Sequence, residues 1–427
     1  VRDGGRVAAA IEVLDDIDLG HRPAKIALKR WSDGARYAGA KDRAFVSGLV
    51  LDALRRRRSL GWRMGGEGAR PVALGVLAFA WDWPHERIAA AFAEDHGPGR
   101  LEDGELAALQ LEGPPTAIDA SKVGPSPAVA GDYPDWLDAP LARVFGDRRA
   151  EEGAALAQRA PVDLRVNTLK SDRAKVLEAL EPIGPEIVDN MPNAIRLRAP
   201  DPAIRAQAPE TFPAFPLGWL EIQDAGSQMA AACAGEIVGK QVLDLCAGGG
   251  GKTLALAALM QNSGRIFAYD NDARRMKDLI PRAERAGVSI LEVRVPMERE
   301  PFRGMAGAMD LVFVDAPCTG TGTWRRNPDA KWRLSPQQLE RRMVEQDGVL
   351  DQAAIFVKPG GRIVYATCSL LAEENEDRVA AFLARTPGFS LRPVPFPQFA
   401  TSDGYLRLTP LSAATDGFFA ALLVKAE

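Results

Sequence analysis

Apolar positions in the first hundred residues recur at helical spacing. Val7, Ala8, Ile11 and Leu14 form one stripe with Asp15 at its polar flank. The same period returns in Arg43 to Leu51 and in Ile88 to Phe92, so residues 1 to about 112 are expected to be helical. GPPTAIDASKVGPSPAVAGDYP, residues 113–134, is rich in Pro, Gly, Ser and Ala and has little periodicity, which marks a linker. Short mixed elements follow. Val162 to Val166 alternates as a strand does, Arg173 to Leu180 reads as a helix, and Ala194 to Leu197 reads as another strand.

From about residue 221 the pattern changes to βα units. Gln241 to Cys246 is an apolar strand, followed by four glycines and the helix former Lys252 to Met260. Arg265 to Asp270, Asp310 to Asp315 and Arg362 to Thr367 are further strands, the last preceded by Pro359-Gly360-Gly361. This alternation predicts an α/β fold with a largely parallel sheet. No internal repeat or low-complexity tract is visible.

A chain of 427 residues suggests two or three domains, and 46% hydrophobic with 26% charged residues is an ordinary globular profile. No apolar run approaches the ~18 residues of a membrane span. The N-terminal VRDGGRVAAAIEVLDD is too acidic and polar for a secretory signal, and its lack of an initial Met suggests a trimmed chain. Four scattered cysteines form no disulfide framework and fit a reducing cytoplasm. They show no Cys-x-x-Cys spacing, so no metal site is expected.

A net charge of −4 counts mildly against a general polyanion binder, but positive charge is clustered. Arg55, Arg56, Arg57 and Arg58 form one run. Trp324, Arg325, Arg326, Lys331, Trp332 and Arg333 form a second, in which indoles alternate with cations as in sites that stack bases and hold phosphates. A solvated helix face is the bland explanation of the first run and a surface loop of the second. The three histidines are His21, His85 and His96. A site in the later part of the chain therefore works without imidazole unless the N-terminal segment reaches it, which disfavours Ser-His-Asp and Cys-His hydrolases.

Strand, glycine turn and helix N-terminus make a cradle for a polar ligand, because unpaired amides point outward there. Asp270, at the end of the next strand, stands where an acid accepts the ribose hydroxyls of an adenosine-containing cofactor. The turn is neither a dinucleotide Gly-x-Gly-x-x-Gly nor a Walker A loop. Spacing alone does not separate NAD from S-adenosylmethionine.

Cys318, in DAPCTGTG, and Cys368, in YATCSL, each follow a strand, and parallel strands present their carboxyl ends to one edge. Asp244, Asp270, Asp315, Cys318, Thr367 and Cys368 are expected to converge there. Cys233 and Cys246 read as small apolar fillers. A thiolate paired with a methyl donor suits carbon methylation of a pyrimidine. Addition of the thiolate to C6 makes C5 nucleophilic, and a base then removes the C5 proton so that the thiol can leave.

DLCAGGGGKT, DAPCTGTG, RRNPDAKW, YATCSLLAEENE and DGFFAALLVK together resemble the Sun/Fmu (RsmB-type) family of RNA 5-methylcytosine methyltransferases over nearly the whole chain. KDRAFVSGLVLDALRRR resembles the NusB-like domain of its ribosomal-RNA members, and VDLRVNTLK with EIQDAGSQ resembles its small RNA-binding subdomain. The resemblance implies an all-α NusB-like N-terminal domain (1–125), a linker and small α+β, RRM-like subdomain (126–220), and a Rossmann-like class I methyltransferase domain (221–427). It makes Cys368 the nucleophile, Cys318 the thiol that helps release product, Asp315 the group near N3, and Lys252 a further catalytic side chain. S-adenosylmethionine would be held by Asp244, Cys246, Ala247, Gly248, Gly249, Gly250, Gly251, Lys252, Asp270, Arg275 and Asp315. RNA would meet Arg55 to Arg58, Arg165, Asn167, Trp324, Arg325, Arg326 and Lys331.

Two departures from the family pattern stand out. Gly248 and Gly249 replace the usual Ala and Pro, which predicts a looser turn and weaker cofactor binding. After the third strand, Arg294 or Val295 stands where an acid usually meets the adenine. The expected activity is methylation of RNA cytosine C5, on 16S ribosomal RNA, by a cytoplasmic monomer without membrane or metal partners. The alternatives are a tRNA substrate or a non-catalytic RNA-binding assembly factor. A DNA enzyme is disfavoured because DNA enzymes use the Pro-Cys thiol as nucleophile.

Overall fold

The computed structural model describes residues 1–110, 125–199, 201 and 207–427. The part of the expected linker at 113–124 lies outside them. The chain forms two compact units, one of Val1–Arg159 with Thr323–Leu334, the other of Ala160–Ala199, Gln207–Gly322 and Ser335–Glu427.

The first unit is helical. Helices run over Asp3–Gly20, Ala24–Gly34, Ala40–Arg55, Arg57–Met64, Ala69–Gly75, His85–Phe92 and Asp103–Leu109. In the first, Val7, Ala10, Val13, Leu14 and Ile17 face inward, so the period-3.6 stripe is the core stripe. They join Phe45, Leu49, Leu54, Leu60, Leu74 and Phe92 in one apolar cluster. The unit extends beyond residue 125 through helices Pro127–Ala130, Asp138–Phe145 and Arg149–Leu156. Ser126 caps the first of these, with Pro127 at its opening position.

The second unit holds two sheets. The smaller has strands β1 (Val162–Val166), β2 (Glu186–Ile187), β3 (Ala194–Leu197) and β4 (Leu220–Ile222) in the order β2-β3-β1-β4, all antiparallel. With the helix Arg173–Ala179 it makes the small α+β layer. Within it Arg196 grips Asp163 through two hydrogen bonds of 2.7 and 2.8 Å, and Asp163 also accepts from the Ala225 amide at the start of helix Ala225–Ala232.

The larger sheet contains β5 (Gln241–Asp244), β6 (Arg265–Tyr269), β7 (Leu291–Arg294), β8 (Met309–Asp315), β9 (Val357–Thr367), β10 (Phe389–Arg392), β11 (Leu406–Leu408) and β12 (Phe418–Lys425). Its order is β10-β12-β9-β8-β5-β6-β7, with β11 beside β12. β5 to β9 are parallel, and β12 enters antiparallel against β9. This is the Rossmann-like arrangement of class I methyltransferases, with one reversed strand. Leu311, Val312, Phe313 and Val314 of β8 are wholly buried, as befits a central parallel strand covered on both faces. Burying each such side chain contributes roughly 1.5–3 kcal/mol. Because β5, β6, β8 and β9 run the same way, Asp244, Asp270, Asp315 and Thr367 end at one edge, with Asp315 paired in register to Ala366. Among the described residues no helix is long and apolar enough to cross a membrane, and no three potential ligands are grouped to hold a metal.

Candidate active site

The turn after β5 leads into helix Gly251–Leu259. Gly248 (φ 49°) and Gly250 (φ 87°) lie in the left-handed region, which side chains other than glycine adopt at a cost. A Cβ on Gly250 would come within 2.2 Å of Leu279 Cδ1. Asp270 accepts from the Gly248 amide at 3.0 Å and from Arg275 at 3.0 Å, so it braces the turn from the neighbouring strand. Asp244 is fully buried. One of its oxygens accepts from Thr253 at 2.7 Å and the other has no partner. Burial, with the nearby Asp315 charge, pushes its carboxyl up to about 7, against the Thr253 hydrogen bond. A narrow glycine cradle and an unsatisfied buried carboxylate oxygen fit a polar ligand such as S-adenosylmethionine. At the third strand, Arg294 pairs with Glu292 and Glu298, and Val295 donates its amide to Glu298.

The loops after β8 and β9 bring the two thiols together, with Cys318 Sγ 3.4 Å from Cys368 Sγ. Lys252 reaches from the glycine turn to Asp315, Nζ to Oδ2 2.7 Å, and lies 5.5 Å from the centre of the Phe418 ring. Burial pulls Lys252 down, but the charges of Asp315 and Cys368 hold it above its usual value, so it is an ammonium. The hydrogen bond with Cys368 is the largest cause that pushes Cys318 well up, followed by burial and by the charges of Cys368 and Glu374. The two thiols are therefore unlike, with a cation acting on Cys368 and an anion on Cys318.

A dense polar network lies behind them. Gly322 donates its amide to the Cys368 carbonyl at 2.9 Å, and Thr321 Oγ1 accepts from the Leu370 amide at 2.8 Å. Thr367 donates to Asn375 at 2.6 Å. Glu374, wholly buried, accepts from Thr319, Ser369 and Gln346. Sequence reasoning did not single out Glu374, Gln346, Thr319 or Thr321. The only signal was an acid in the turn directly after an expected strand end.

Residues 236–424 match the family model described as 16S rRNA methyltransferase RsmB/F, and residues 133–203 match the ferredoxin-like domain of RsmF/B-like methyltransferases. A ribosomal RNA small subunit methyltransferase B from Sodalis glossinidius is 31% identical over 90% of this chain and 90% of its own length. The chain belongs to the RsmB/F methyltransferase family. A probable ribosomal RNA small subunit methyltransferase B from Synechocystis is 29% identical over 90% of this chain and 92% of its own. The crystal structure of the protein PH0851 superposes with a TM-score of 0.73 at 26% identity, covering 100% of this chain and 99% of the other. S-adenosylmethionine is the cofactor of this RNA methyltransferase family, and the cradle at Gly248 to Gly251 agrees with it.

Of the side chains expected to meet RNA, Arg55, Arg165, Asn167, Trp324, Arg325 and Lys331 are buried, whereas Arg56, Arg57, Arg58 and Arg326 are half-buried. Arg55 is buried, donating to Asp52 at 2.8 Å and to the Arg325 carbonyl at 2.9 Å. Arg57 is paired with Asp18, Arg58 with Asp135, and Arg56 with Gln158. Trp324, Arg325 and Lys331 are not a surface loop but part of the helical unit's interior. Lys331 donates to the Arg55 carbonyl at 3.0 Å, with Trp332 4.8 Å and Trp324 5.6 Å from its Nζ. Burial pulls it down to about 8, against the charge of Asp132. Arg326 remains half-buried.

In the smaller sheet, Arg165 is buried and donates to Gln223 at 2.8 Å. Asn167 spends its amide on the Gly218 and Ala286 carbonyls at 2.7 and 2.8 Å. The Asn167 amide is thereby committed to the fold, whereas Arg165 commits its Nε to Gln223.

Proposed function

We propose that this chain methylates C5 of a cytosine in 16S ribosomal RNA, through addition of the Cys368 thiolate to C6. It acts as a cytoplasmic monomer, with the helical unit serving as a NusB-like RNA-binding domain. The observation that carries this reading is the thiol pair 3.4 Å apart, beside the Lys252–Asp315 pair and the glycine cradle. The names of the relatives, ribosomal RNA small subunit methyltransferases, support the substrate.

In this mechanism one proton is shared between the thiols, which stand 3.4 Å apart, and Cys368 attacks as the thiolate beside the Lys252 ammonium. Cys368 Sγ bonds to C6, and the Lys252–Asp315 pair steadies the charge that develops at N3. S-adenosylmethionine, which Asp270 and the Gly248–Gly251 turn would hold, would supply the electrophilic methyl group to C5 and leave as S-adenosylhomocysteine. Once Cys368 is bonded to carbon, it neither accepts a hydrogen bond from Cys318 nor carries charge. The hydrogen bond and the charge of Cys368, two of the causes that raise the Cys318 pKa, are then gone, while burial and the Glu374 charge remain. Cys318 releases its proton to solvent and takes up the C5 proton. The C–H electron pair re-forms the C5–C6 double bond, the C6–S bond breaks, and the shared proton is restored.

Bisulfite sequencing of 16S ribosomal RNA from cells with and without this protein tests the reading. A single cytosine protected only when the protein is present is expected. An unchanged 16S pattern would contradict it.

A further inference from the structure

Cys368 directly follows β9, and the Cys318 sulfur takes a hydrogen bond from the Gly320 amide of its own loop. Cys318 sits in a loop with glycines at 320 and 322, and Gly320 has φ 72°. Glycine-rich segments have many accessible conformations, so contacts from outside the loop add to what holds the sulfur in place. Thr319 directly follows Cys318, and Ser369 directly follows Cys368. Both bond to one carboxylate. Glu374 Oε1 accepts from the Thr319 amide at 2.8 Å, and Oε2 accepts from the Thr319 and Ser369 hydroxyls. Gln346, from helix Pro336–Phe356, donates to Glu374 Oε1 at 3.0 Å and to the Pro317 carbonyl at 2.9 Å, so Cys318 is flanked on both sides. The Tyr365 hydroxyl, from β9, holds the Glu374 carbonyl at 2.6 Å.

Resting on the thiol mechanism above, we propose that Glu374 is a positioning residue that sets the separation of the two sulfurs by clamping the loop behind each. The glutamate touches neither thiol nor base. It acts through Thr319 and Ser369. Gly322 and Thr321 also tie the two loops, but further along the chain from Cys318. Burial raises the Glu374 carboxyl against the pull of its donors. A neutral glutamine satisfies the same partners, with its oxygen toward Thr319 N–H and Gln346 and its amide toward the two hydroxyls, which then accept. Alanine satisfies none of them.

The test reads geometry and turnover separately. Diamide removes two electrons and two protons from a close thiol pair, forming the Sγ–Sγ bond while the diazene is reduced to a hydrazine. The rate of Cys318–Cys368 disulfide formation in the full chain, followed by mass spectrometry, therefore reports sulfur separation without RNA. Turnover is read with an unmodified 16S ribosomal RNA transcript. For Glu374→Ala, disulfide formation is expected to slow by roughly ten-fold. The kcat should fall about 100-fold, the cost of an ångström-scale misplacement, with the KM for S-adenosylmethionine unchanged. Glu374→Gln should restore both rates to within about three-fold of the original.

Should Glu374→Ala not fold, Thr319→Val removes one clamp contact and should shift both rates the same way by a smaller factor. Unchanged disulfide formation in the folded variants overturns the clamp. So does a glutamine variant as slow as alanine, which would assign the effect to charge. Slowed disulfide formation with full turnover leaves the clamp standing and overturns the thiol mechanism instead.

Discussion

Lys252 Nζ and Asp315 Oδ2 stand 2.7 Å apart, one from the helix after β5 and the other from the end of β8. Through this pair the glycine cradle and the thiol edge share one electrostatic unit. The Lys252 ammonium is held above its usual value by both Asp315 and Cys368.

The cradle makes a first prediction. Gly250→Ala forces a side chain into φ 87° and against Leu279, so calorimetry should show S-adenosylmethionine affinity at least ten-fold weaker. At Gly249, a Cβ would come no closer than 3.3 Å to Arg282 Nη1, the end of a flexible side chain. Gly249→Ala should keep affinity within about three-fold, a difference of well under 1.4 kcal/mol. Equal losses at the two positions would remove the cradle from cofactor binding.

Asp244 gives a pH dependence. Its folded carboxyl is pushed up to about 7 from the usual 3.8. A raised folded value contributes stability that is complete below 3.8 and lost as pH rises through 7. In the cofactor-free protein, Asp244→Asn should therefore leave stability almost unchanged at pH 4. At pH 8 it should gain on the order of 1–4 kcal/mol relative to the original. Urea midpoints at both pH values check this. A variant equally destabilised at both would show that the carboxylate is satisfied when charged.

The helical unit gives a third prediction. Lys331→Ala leaves a buried Asp132 without its cation and two indoles without their filling, so it should destabilise by about 3 kcal/mol. Arg333→Ala, at an exposed position, should change stability by less than about 0.5 kcal/mol. Guanidinium unfolding separates the two. Similar small effects would put Lys331 back on the surface, where a role in RNA contact becomes reasonable.

Much of the architecture was legible because short apolar strands leave a strong trace, in the antiparallel sheet as in the parallel one. β1 and β3 ran over the very residues expected, and β5, β6 and β8 matched to within two residues of the expected ends. The convergence of Asp244, Asp270, Asp315 and the two thiols followed from strand direction alone. β7, Leu291–Arg294, was placed only through the family resemblance, because its alternation spans just four residues. β12, Phe418–Lys425, was noted only as a motif, since a continuous apolar run has no period that marks it as strand. The Trp324 to Arg333 segment misled for a physical reason. Cations beside indoles suit stacked bases, and they suit a buried lysine packed against its own tryptophans equally well. Glu374 was invisible because Thr319 and Gln346 lie far from it along the chain, and only the folded sheet brings them to one carboxylate.

The central claim is that Cys368 attacks and Cys318 releases. The most direct measurement is denaturing electrophoresis of each cysteine variant after incubation with unmodified 16S ribosomal RNA and S-adenosylmethionine. Cys318→Ala should trap a covalent protein–RNA adduct that depends on the methyl donor, because the bond to C6 forms and proton removal from C5 stalls. Cys368→Ala should be inactive and form none. An adduct in Cys368→Ala and none in Cys318→Ala would reverse the two roles. Full activity in both variants, with no adduct, would contradict the mechanism outright.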